Sequence, residues 1–397
     1  MEFSIKQSVL KEELGYIQGV VERKTTIPVL SNILIESLGE GSIRIVGTDL
    51  DVTIRCDAEA EIKTPGAMCV QARKLFDIVR NLGEGDVHFK KEENEWVELK
   101  AGRAKFRLAG VNKEQYPEIP IFKSAPLTLP AEVFNYFIQN TAFAITNETS
   151  RFTLSGAKFV LEGDIARMVT TDGHRLAFIE KKLDTPIEDK MDALIPKKAL
   201  LELVKISREG GDVAFGEDQN HIYFETGGRL LITRKLTGNF PNYEMVMPKD
   251  NDKKVVFDLA DMRLEVRRIA LMADERNRSI RITVREGEVE VTAQSSEEGE
   301  GREFVPADYK GEEVTLGFNH QYLQEFLNNV GALESTSSSD ASDEGESDGS
   351  TAATARAKDS NSARISFEFK DANAATQIRI DGETSYDYKY IVMPLRI

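Results

Sequence analysis

The stretch FSIKQSVLKEELGYIQGVV, residues 3–21, runs a short apolar strand straight into an amphipathic helix, and the chain repeats that opening twice. LTLPAEVFNYFIQNTAFAI follows at 127–145 and VVFDLADMRLEVRRIALMA at 255–273. Each opening has a second strand–helix pair downstream: MCVQARKLFDIVRNL at 68–82, ALIPKKALLELVKIS at 193–207 and VTLGFNHQYLQEFLNNV at 314–330. Each pass then closes on an aromatic and proline element, YPEIP at 116–120, FPNYEMVMP at 240–248 and YDYKYIVMP at 386–394. Self-similarity at this period means copies of one module rather than one large core. The repeat predicts domains over 1–122, 126–249 and 255–397, separated by PIFKSAP at 120–126 and PKDNDKK at 248–254.

Within each module the periodicities separate helix from strand. Leu10, Leu14, Ile17 and Val21 recur at helical spacing, as do Tyr322, Leu323, Phe326, Leu327 and Val330. Each helix therefore buries one face and offers the other to solvent or a ligand. Helices are predicted over 7–22, 71–82, 130–142, 196–209, 260–273 and 319–331. Between them IRIVGTDLDVTIRC, VHFKKEENEWVELK, RMVTTDGHRLAFIEKK, DVAFGEDQNHIYFETGGRLLITRK and RITVREGEVEVTAQ alternate around polar turns, as strands do. The fold class is α+β: three similar modules of antiparallel sheet with two helices each.

With 41% hydrophobic residues, each module of roughly 125 residues can bury its own core. No apolar run reaches the roughly 18 residues of a membrane span, and no basic segment followed by an apolar one opens the chain. Cys56 and Cys69 both lie beside apolar strand residues, which fits buried side chains in a reducing cytoplasm better than a disulfide framework. A net charge of −16 opposes nucleic-acid binding only if it is spread evenly. It is not: the predicted helices, with Arg23 and Lys24 beside the first, hold slightly more basic than acidic residues. That tally fits helices that display ordinary solvated charge, and equally helices gathered on one face less repulsive to phosphate. Residues 334–363, rich in Ser, Asp, Glu and Ala without an aromatic, cannot offset their ordering entropy by burial and predict a mobile surface insertion. A phosphorylated or partner-binding arm is the alternative.

Catalytic and cofactor signals are absent. There is no GxxxxGK[ST] and no GxGxxG after a strand, and His88, His174, His221 and His320 are far apart without HxxxH or CxxC spacing. No cofactor or metal is implied. Asp49 and Asp51 in GTDLDVTI could hold Mg²⁺, and Asp172 with His174 in TTDGHRLA could form a base and its orienter, so a phosphoryl-transfer enzyme using Asp49, Asp51 and Asp172 is the rival reading. TDG is equally a turn between strands, and the first module has its own TD at Thr48 and Asp49 with no histidine. A repeated scaffold turn explains both, and the chain reads as a protein that is not an enzyme.

TTDGHRLA at 170–177, FPNYEMVMP at 240–248 and YIVMPLRI at 390–397 closely resemble the bacterial DNA polymerase III beta subunit family, the sliding clamps. KTTIPVLSNILI at 24–35 and GTDLDVTI at 47–54 look like the same family, and the likeness spans the chain outside the acidic insert. The resemblance implies a head-to-tail homodimer whose six modules close a ring, with helices lining the hole and sheets outside. Such a ring encircles duplex DNA without sequence preference and tethers polymerase to its template. Enclosure needs little attraction, which removes the difficulty raised by the acidic charge.

By position, the resemblance assigns DNA contact to Lys24, Arg73, Arg80, Arg151, Phe152, Lys197 and Lys198. It implies a peptide pocket built from Leu154, Thr171, Gly173, His174, Arg175, Leu176, Pro241, Met245, Val246, Asn319, Tyr322, Val392, Met393, Pro394, Leu395 and Arg396. That pocket would take short apolar motifs of the polymerase III alpha subunit, the clamp loader, other polymerases and repair proteins. Leu, Val, Met and Pro suit an apolar groove, while some of them, Leu154, Leu176 and Val246 among these, also suit plain core. The apolar terminal MPLRI is expected to dock and complete the groove. Arg103, Lys105 and Arg107, with Lys74 nearby, face Glu297, Glu298, Glu300 and Glu303 in charge, which suits a heterologous contact. The resemblance adds Phe106 and Leu108 against Leu271 and Met272 as its apolar centre. Glu148, Thr153, Met245 and Asn277 depart from the family pattern. A peptide-binding scaffold without a DNA role is a third reading.

Overall fold

The computed structural model describes residues 1–22, 26–39, 41–121, 125–148, 150–296, 299–330, 363–382 and 384–396, the side chains of 188 and 189 aside. Lys24, Glu297, Glu298 and the acidic insert up to residue 362 lie outside the described residues. Among those described, six α-helices form: α1 (Gln7–Ile17), α2 (Ala72–Val79), α3 (Ala131–Thr141), α4 (Lys197–Ile206), α5 (Leu259–Ile269) and α6 (His320–Asn329). Antiparallel strands make up the rest of each module, so the fold is α+β in three sheet-plus-helix modules.

The helices are shorter than their apolar periodicity because their ends tighten. After Ile17 the amides of Gly19 and Val20 donate to the carbonyls of Tyr16 and Ile17, three residues back. After α3 and α5 the chain continues as the 3₁₀ segments Ala142–Ala144 and Ala270–Met272. Each helix follows its strand with almost no loop. Asp258 caps α5 by accepting the Ala260 and Asp261 amides at 2.8 and 3.0 Å, and Asn319 caps α6 through the Gln321 amide at 2.9 Å. At the other end of α6, Arg263 donates to the Leu327 and Val330 carbonyls, placing a cation where the helix dipole is negative.

The chain packs as two compact units, Met1–Ile138 with Ala193–Thr237, and Gln139–Asp192 with Gly238–Ile397. In the first, a five-stranded sheet runs in the order Glu61–Thr64, Glu2–Lys6, Asp86–Lys91, Val97–Ala101, Ala104–Leu108. A nine-stranded sheet there runs Gly110–Val111, Ala67–Gln71, Asn32–Leu38, Ser42–Thr48, Val52–Glu59, Arg229–Arg234, His221–Thr226, Asp212–Glu217, Leu127–Pro130. Its central pairing, Val52↔Thr233 through Cys56↔Arg229, joins strands from two sequence modules. Arg229 secures that seam. Buried itself, it donates to both carboxylate oxygens of Glu13 at 2.9 and 2.7 Å and to Glu12 at 2.6 Å, and its guanidinium lies 4.2 Å from the Tyr16 ring centroid. Cys56 and Cys69 are buried and free, and burial pushes the Cys69 thiol up to about 12.

In the second unit a ten-stranded sheet includes Gly156–Thr171, Arg175–Pro196, Asp387–Val392, Thr376–Ile380, Arg364–Phe369 and Lys253–Asp258, then Gly299–Asp308, Glu288–Ser295, Ser279–Arg285 and Val314–Asn319. Its seam, Arg175↔Val392 through Glu180↔Asp387, repeats the geometry of the first. Here the closing elements part company. YPEIP is irregular and FPNYEMVMP carries only the 3₁₀ turn Tyr243–Met245, and they bury Tyr116 and Tyr243, but YDYKYIVMP holds the strand Asp387–Val392. Its counterpart is Arg229–Arg234, because both pair with the strand that follows a TD turn. The aromatic and proline content had placed it with the wrong element.

Replacing Arg229 with alanine leaves Glu13 buried without its partner. We expect Arg229→Ala to lower unfolding stability by about 3 kcal/mol, read as a reduced midpoint in urea denaturation of the full chain.

Candidate functional site

Two turns of the same construction stand at the two seams. In Thr48–Val52 the Asp49 Oδ1 accepts the Asp51 and Val52 amides at 3.0 and 2.7 Å, while the Thr48 hydroxyl accepts the Leu50 amide at 3.0 Å. In Thr171–Arg175 the Asp172 Oδ1 accepts the His174 and Arg175 amides at 2.9 and 3.1 Å, and the Thr171 hydroxyl accepts the Gly173 amide at 3.0 Å. Leu50 and Gly173 take the left-handed position, φ 80° and 90°. Each turn aspartate spends its second oxygen on a cation: Asp49 pairs with Lys198, and Asp172 meets Arg175 Nε at 3.0 Å. These carboxylates cap turns and pair with cations, so both oxygens of Asp49, the first member of the candidate pair with Asp51, are already engaged. Among the described residues no group of three or more His, Cys, Asp or Glu converges.

Arg175 is the hub of the second seam. It donates to Asp172, to the Phe143 carbonyl at 2.7 Å, to the Tyr390 hydroxyl at 3.4 Å and to Glu325, and its guanidinium lies 4.4 Å from the Tyr322 ring centroid. Burial alone would lower its pKa, but Tyr390 and Glu325 outweigh that and hold the charge in place. A side chain so committed forms a rigid wall.

Against that wall opens a cleft of about 540 Å³ lined by Leu154, Thr171, Gly173, His174, Arg175, Leu176, Pro241, Val246 and Met393, joined by Asn242, Tyr243 and Ile391. Its floor is core: Val169, Leu176, Phe178, Tyr243 and Ile391 form one buried cluster. Its rim is open, with Met245, Val246 and Met393 exposed by 81%, 52% and 48%. Such exposure is unusual for large apolar side chains grouped at one cleft. The tail is docked here by backbone. The Met393 amide donates to the His174 carbonyl at 3.0 Å, and the Leu395 amide to the Gly317 carbonyl at 2.8 Å.

The remaining predicted pocket residues divide. Tyr322 stacks near His174, with centroids 6.5 Å apart, behind Arg175. Asn319 caps α6, and Val392 is fully buried by the alternation of its strand. Met245 stands on the rim rather than in the lining, and Pro394 joins Met393 to Leu395. Leu395 and Arg396 line a separate cleft with Asn277. Asn277 does not point to the apolar cleft as a lip; its Oδ1 accepts the Ser279 amide and hydroxyl, both at 2.9 Å. Tyr243 and Ile391 went unrecognised in the sequence. The strand alternation around Tyr390 and Val392 was a signal for the latter.

The predicted DNA contacts are scattered in state. In the first unit Arg73 and Arg80 are exposed on or just after α2, Arg80 pairing with Asp77 at 3.1 Å. Lys197 and Lys198 are half-buried, and Lys198 is held by Asp49 and by the Val20 carbonyl at 2.8 Å. In the second unit Phe152 is 70% exposed, and Arg151 pairs with Glu148 at 3.1 Å while donating to the Asp172 carbonyl at 3.1 Å. The departure at Glu148 therefore neutralises Arg151, and Thr153 packs against Gly238. In the first unit a cleft of about 1430 Å³ between α1, α2 and α4 adds Lys11, Lys205 and Arg208 to Arg80. Lys205 and Arg208 follow Lys197 and Lys198 at helical spacing, a signal the sequence did carry.

Two stretches of open strand edge carry the residues assigned to a contact between copies. Ala104–Leu108 ends the five-stranded sheet and pairs only with Val97–Ala101. Gly299–Asp308 pairs along Glu288–Ser295 but meets Lys253–Asp258 only at Ala307 and Asp308. Phe106 is 37% exposed on one edge, while Leu271 and Phe304 are 78% and 47% exposed beside the other, where Met272 is half-buried. The charges assigned to these edges are partly used within the chain. Lys100 and Lys105 hold the Glu98 carboxyl down to about 2, Arg107 pairs with Glu92, and Arg268 donates to Glu303 at 2.7 Å. Lys74, Arg103 and Glu300 are exposed and Leu108 half-buried.

Family models for the DNA polymerase III beta subunit match this chain in order: the N-terminal domain over residues 1–120, the central domain over 128–242 and the C-terminal domain over 244–335. A beta sliding clamp of Pseudomonas aeruginosa is 32% identical over 334 residues, covering 83% of this chain and 91% of the relative. That of Escherichia coli K12 is 30% identical over 334 residues, covering 83% and 90%. The crystal structure of the DNA polymerase III beta subunit from Pseudomonas aeruginosa superposes with a TM-score of 0.85 at 29% identity, covering both chains fully.

An ammonium cannot reach Asp172, Glu325 and the Phe143 carbonyl together. Arg175→Lys is expected to cost roughly 2–3 kcal/mol of unfolding stability, measured by urea denaturation; wild-type stability would show that the cleft wall does not depend on the guanidinium fork.

Proposed function

This chain belongs to the DNA polymerase III beta subunit family, and from that membership we propose how its geometry does the work of a clamp. It is a DNA sliding clamp without catalysis of its own, a homodimer that acts with DNA and polymerase. We read its domains as 1–122, 126–249 and 255–397. The observation that carries the assembly is a missing seam. Ala104–Leu108, Arg229–Arg234 and Asp387–Val392 are the last long strands of the three modules, with only the two-residue Gly110–Val111 following in the first, and Val52–Glu59, Arg175–Pro196 and Gly299–Asp308 are their counterparts before the seam. The second and third last strands find such a partner inside the chain. Among the described residues the first of these strands and most of the third counterpart do not. Two copies placed nose to tail supply both missing seams at once, and the contact closes with both of these edges paired. Phe106 and Leu108 of one copy then meet Leu271 and Met272 of the other, with Lys74, Arg103 and Lys105 toward Glu298, Glu300 and Glu303.

Inside such a ring the helices face duplex DNA. Arg73, Arg80 and Lys197, with Lys11, Lys205 and Arg208 of the basic cleft, supply contacts to phosphate; Arg151, Phe152 and Lys24 add to them. Lys198 positions the Asp49 turn instead of reaching outward. Because many of these cations already hold a carboxylate, attraction is weak, and enclosure retains the DNA while it slides. The apolar cleft at Gly173, Leu176, Pro241, Val246 and Met393 takes short apolar motifs of the polymerase alpha subunit, clamp loader, other polymerases and repair proteins, in the cytoplasm where the template lies. The exposed rim and core floor support this reading. The rival phosphoryl-transfer enzyme finds no support in Asp49 and Asp172, whose oxygens cap turns and pair with cations.

Loaded onto closed circular DNA, the protein is expected to stay bound through gel filtration at moderate salt and to be lost once the circle is cut. Retention on linear DNA would sink the enclosure. Lys205→Glu with Arg208→Glu should reduce loading and leave the dimer unchanged, which a pure peptide scaffold would not show. Deleting residues 393–397 should abolish binding of an apolar peptide by calorimetry while the dimer persists in sedimentation; unchanged affinity would remove the pocket assignment.

A further inference from the structure

The tail does not stop at the apolar cleft. Met393 lines it, and two residues on, the Leu395 amide bonds to Gly317, laying the chain over the strand Val314–Asn319. Leu395 and Arg396 there form a wall of a second cleft of about 1770 Å³. The strand register builds its floor as a row. Gly317 stands opposite Arg281, Arg281 opposite Thr292, and Thr292 opposite Arg302. Opposed side chains on an antiparallel ladder start about 5 Å apart, and Gly317 contributes none; Leu395 and Arg396 line the same cleft as Arg281.

The charge of this row is the reverse of the chain's. Arg281 and Arg396 are exposed and form no ion pair among the described residues. Arg302 is exposed and shares the buried Glu290 with Arg285, each at 2.8 Å. Among the described residues Glu300 is the one acidic residue in the lining. The Thr292 hydroxyl and the Gln294 amide supply further donors.

We propose that this cleft is an anion-binding annex of the apolar pocket, seating the carboxylates of acidic residues that flank the apolar motif of a bound partner segment. The proposal rests on the pocket reading above. The tail makes the two sites continuous, so one extended segment can lie in both, its apolar residues against Met393 and its acidic ones on Arg281 and Arg396. Guanidinium groups suit carboxylates because their donors are arranged as a planar fork.

The test uses the full dimer and a short apolar peptide, alone and extended at either end by an aspartate run. At low salt one extension should tighten binding roughly threefold to tenfold, and the gain should vanish at high salt. Arg281→Ala should remove the gain while leaving the core peptide's Kd unchanged, and Arg281→Glu should turn the extension into a penalty. Equal affinity of core and extended peptides, or a gain that survives Arg281→Ala, would overturn the annex. If the core peptide itself fails to bind, the pocket reading fails instead. The aspartate run alone, titrated against wild type and Arg281→Ala, then decides the annex.

Discussion

The structure depends on one constraint, the pairing of a module's last strand with a strand that leaves a threonine–aspartate turn. Val52–Cys56 against Arg229–Thr233 and Arg175–Glu180 against Asp387–Val392 are the two cases within the chain. Each ladder satisfies backbone groups that would otherwise form an exposed edge, and each lies beside a buried arginine tied to acids and an aromatic ring. This is why the chain packs as two units although it repeats three times: contact follows the seams rather than the repeat. The same constraint leaves one strand and one counterpart unmatched, and that deficit favours a second copy.

The two seams are built alike but do not offer the same surface. At the first, Ile119 packs against Tyr116 and against Tyr223, Leu230 and Ile232, filling the space beside the turn. At the second, the residue three after the buried tyrosine is Val246, which turns outward, and Gly173 replaces Leu50 in the turn. One seam is thereby plugged by its own chain and the other left as a cleft. Because the floor of that cleft is a folded core cluster, its shape is present before any ligand arrives, and little ordering entropy remains to be lost on binding.

Electrostatics follow the same economy. Lys198 with Asp49, Lys205 with Glu202, Arg151 with Glu148 and Arg80 with Asp77 leave the helix-bearing surfaces close to neutral rather than strongly basic. A protein that held DNA by charge would need many unpaired cations and would bind tightly at low salt. Partial neutralisation suits a ring that must move along its template. The acidic residues carried by strands and loops do not oppose this, since their side chains lie on sheets rather than on the helices.

The sequence by itself determined the repeat, the six helices, the strand hairpins and the identity of the TD turns, because those are local: apolar period, caps and turn chemistry are encoded within a few residues. Much of the cleft was legible too, through Gly173, Leu176, Pro241 and Met393 and the likeness they carry. What only the tertiary structure decided is how charges and edges are spent. Composition does not show that Lys198 is held by Asp49, far away in the chain, and it groups Asp387–Val392 with the closing aromatic and proline elements, whereas the fold pairs it as a strand with Arg175–Glu180. The course of Leu395 and Arg396 past Met393, with the Leu395 amide on the Gly317 carbonyl beside the Arg281 row, is likewise set by the fold. Each of these turns on long-range pairing, which follows from the whole fold and leaves no periodic mark in the chain.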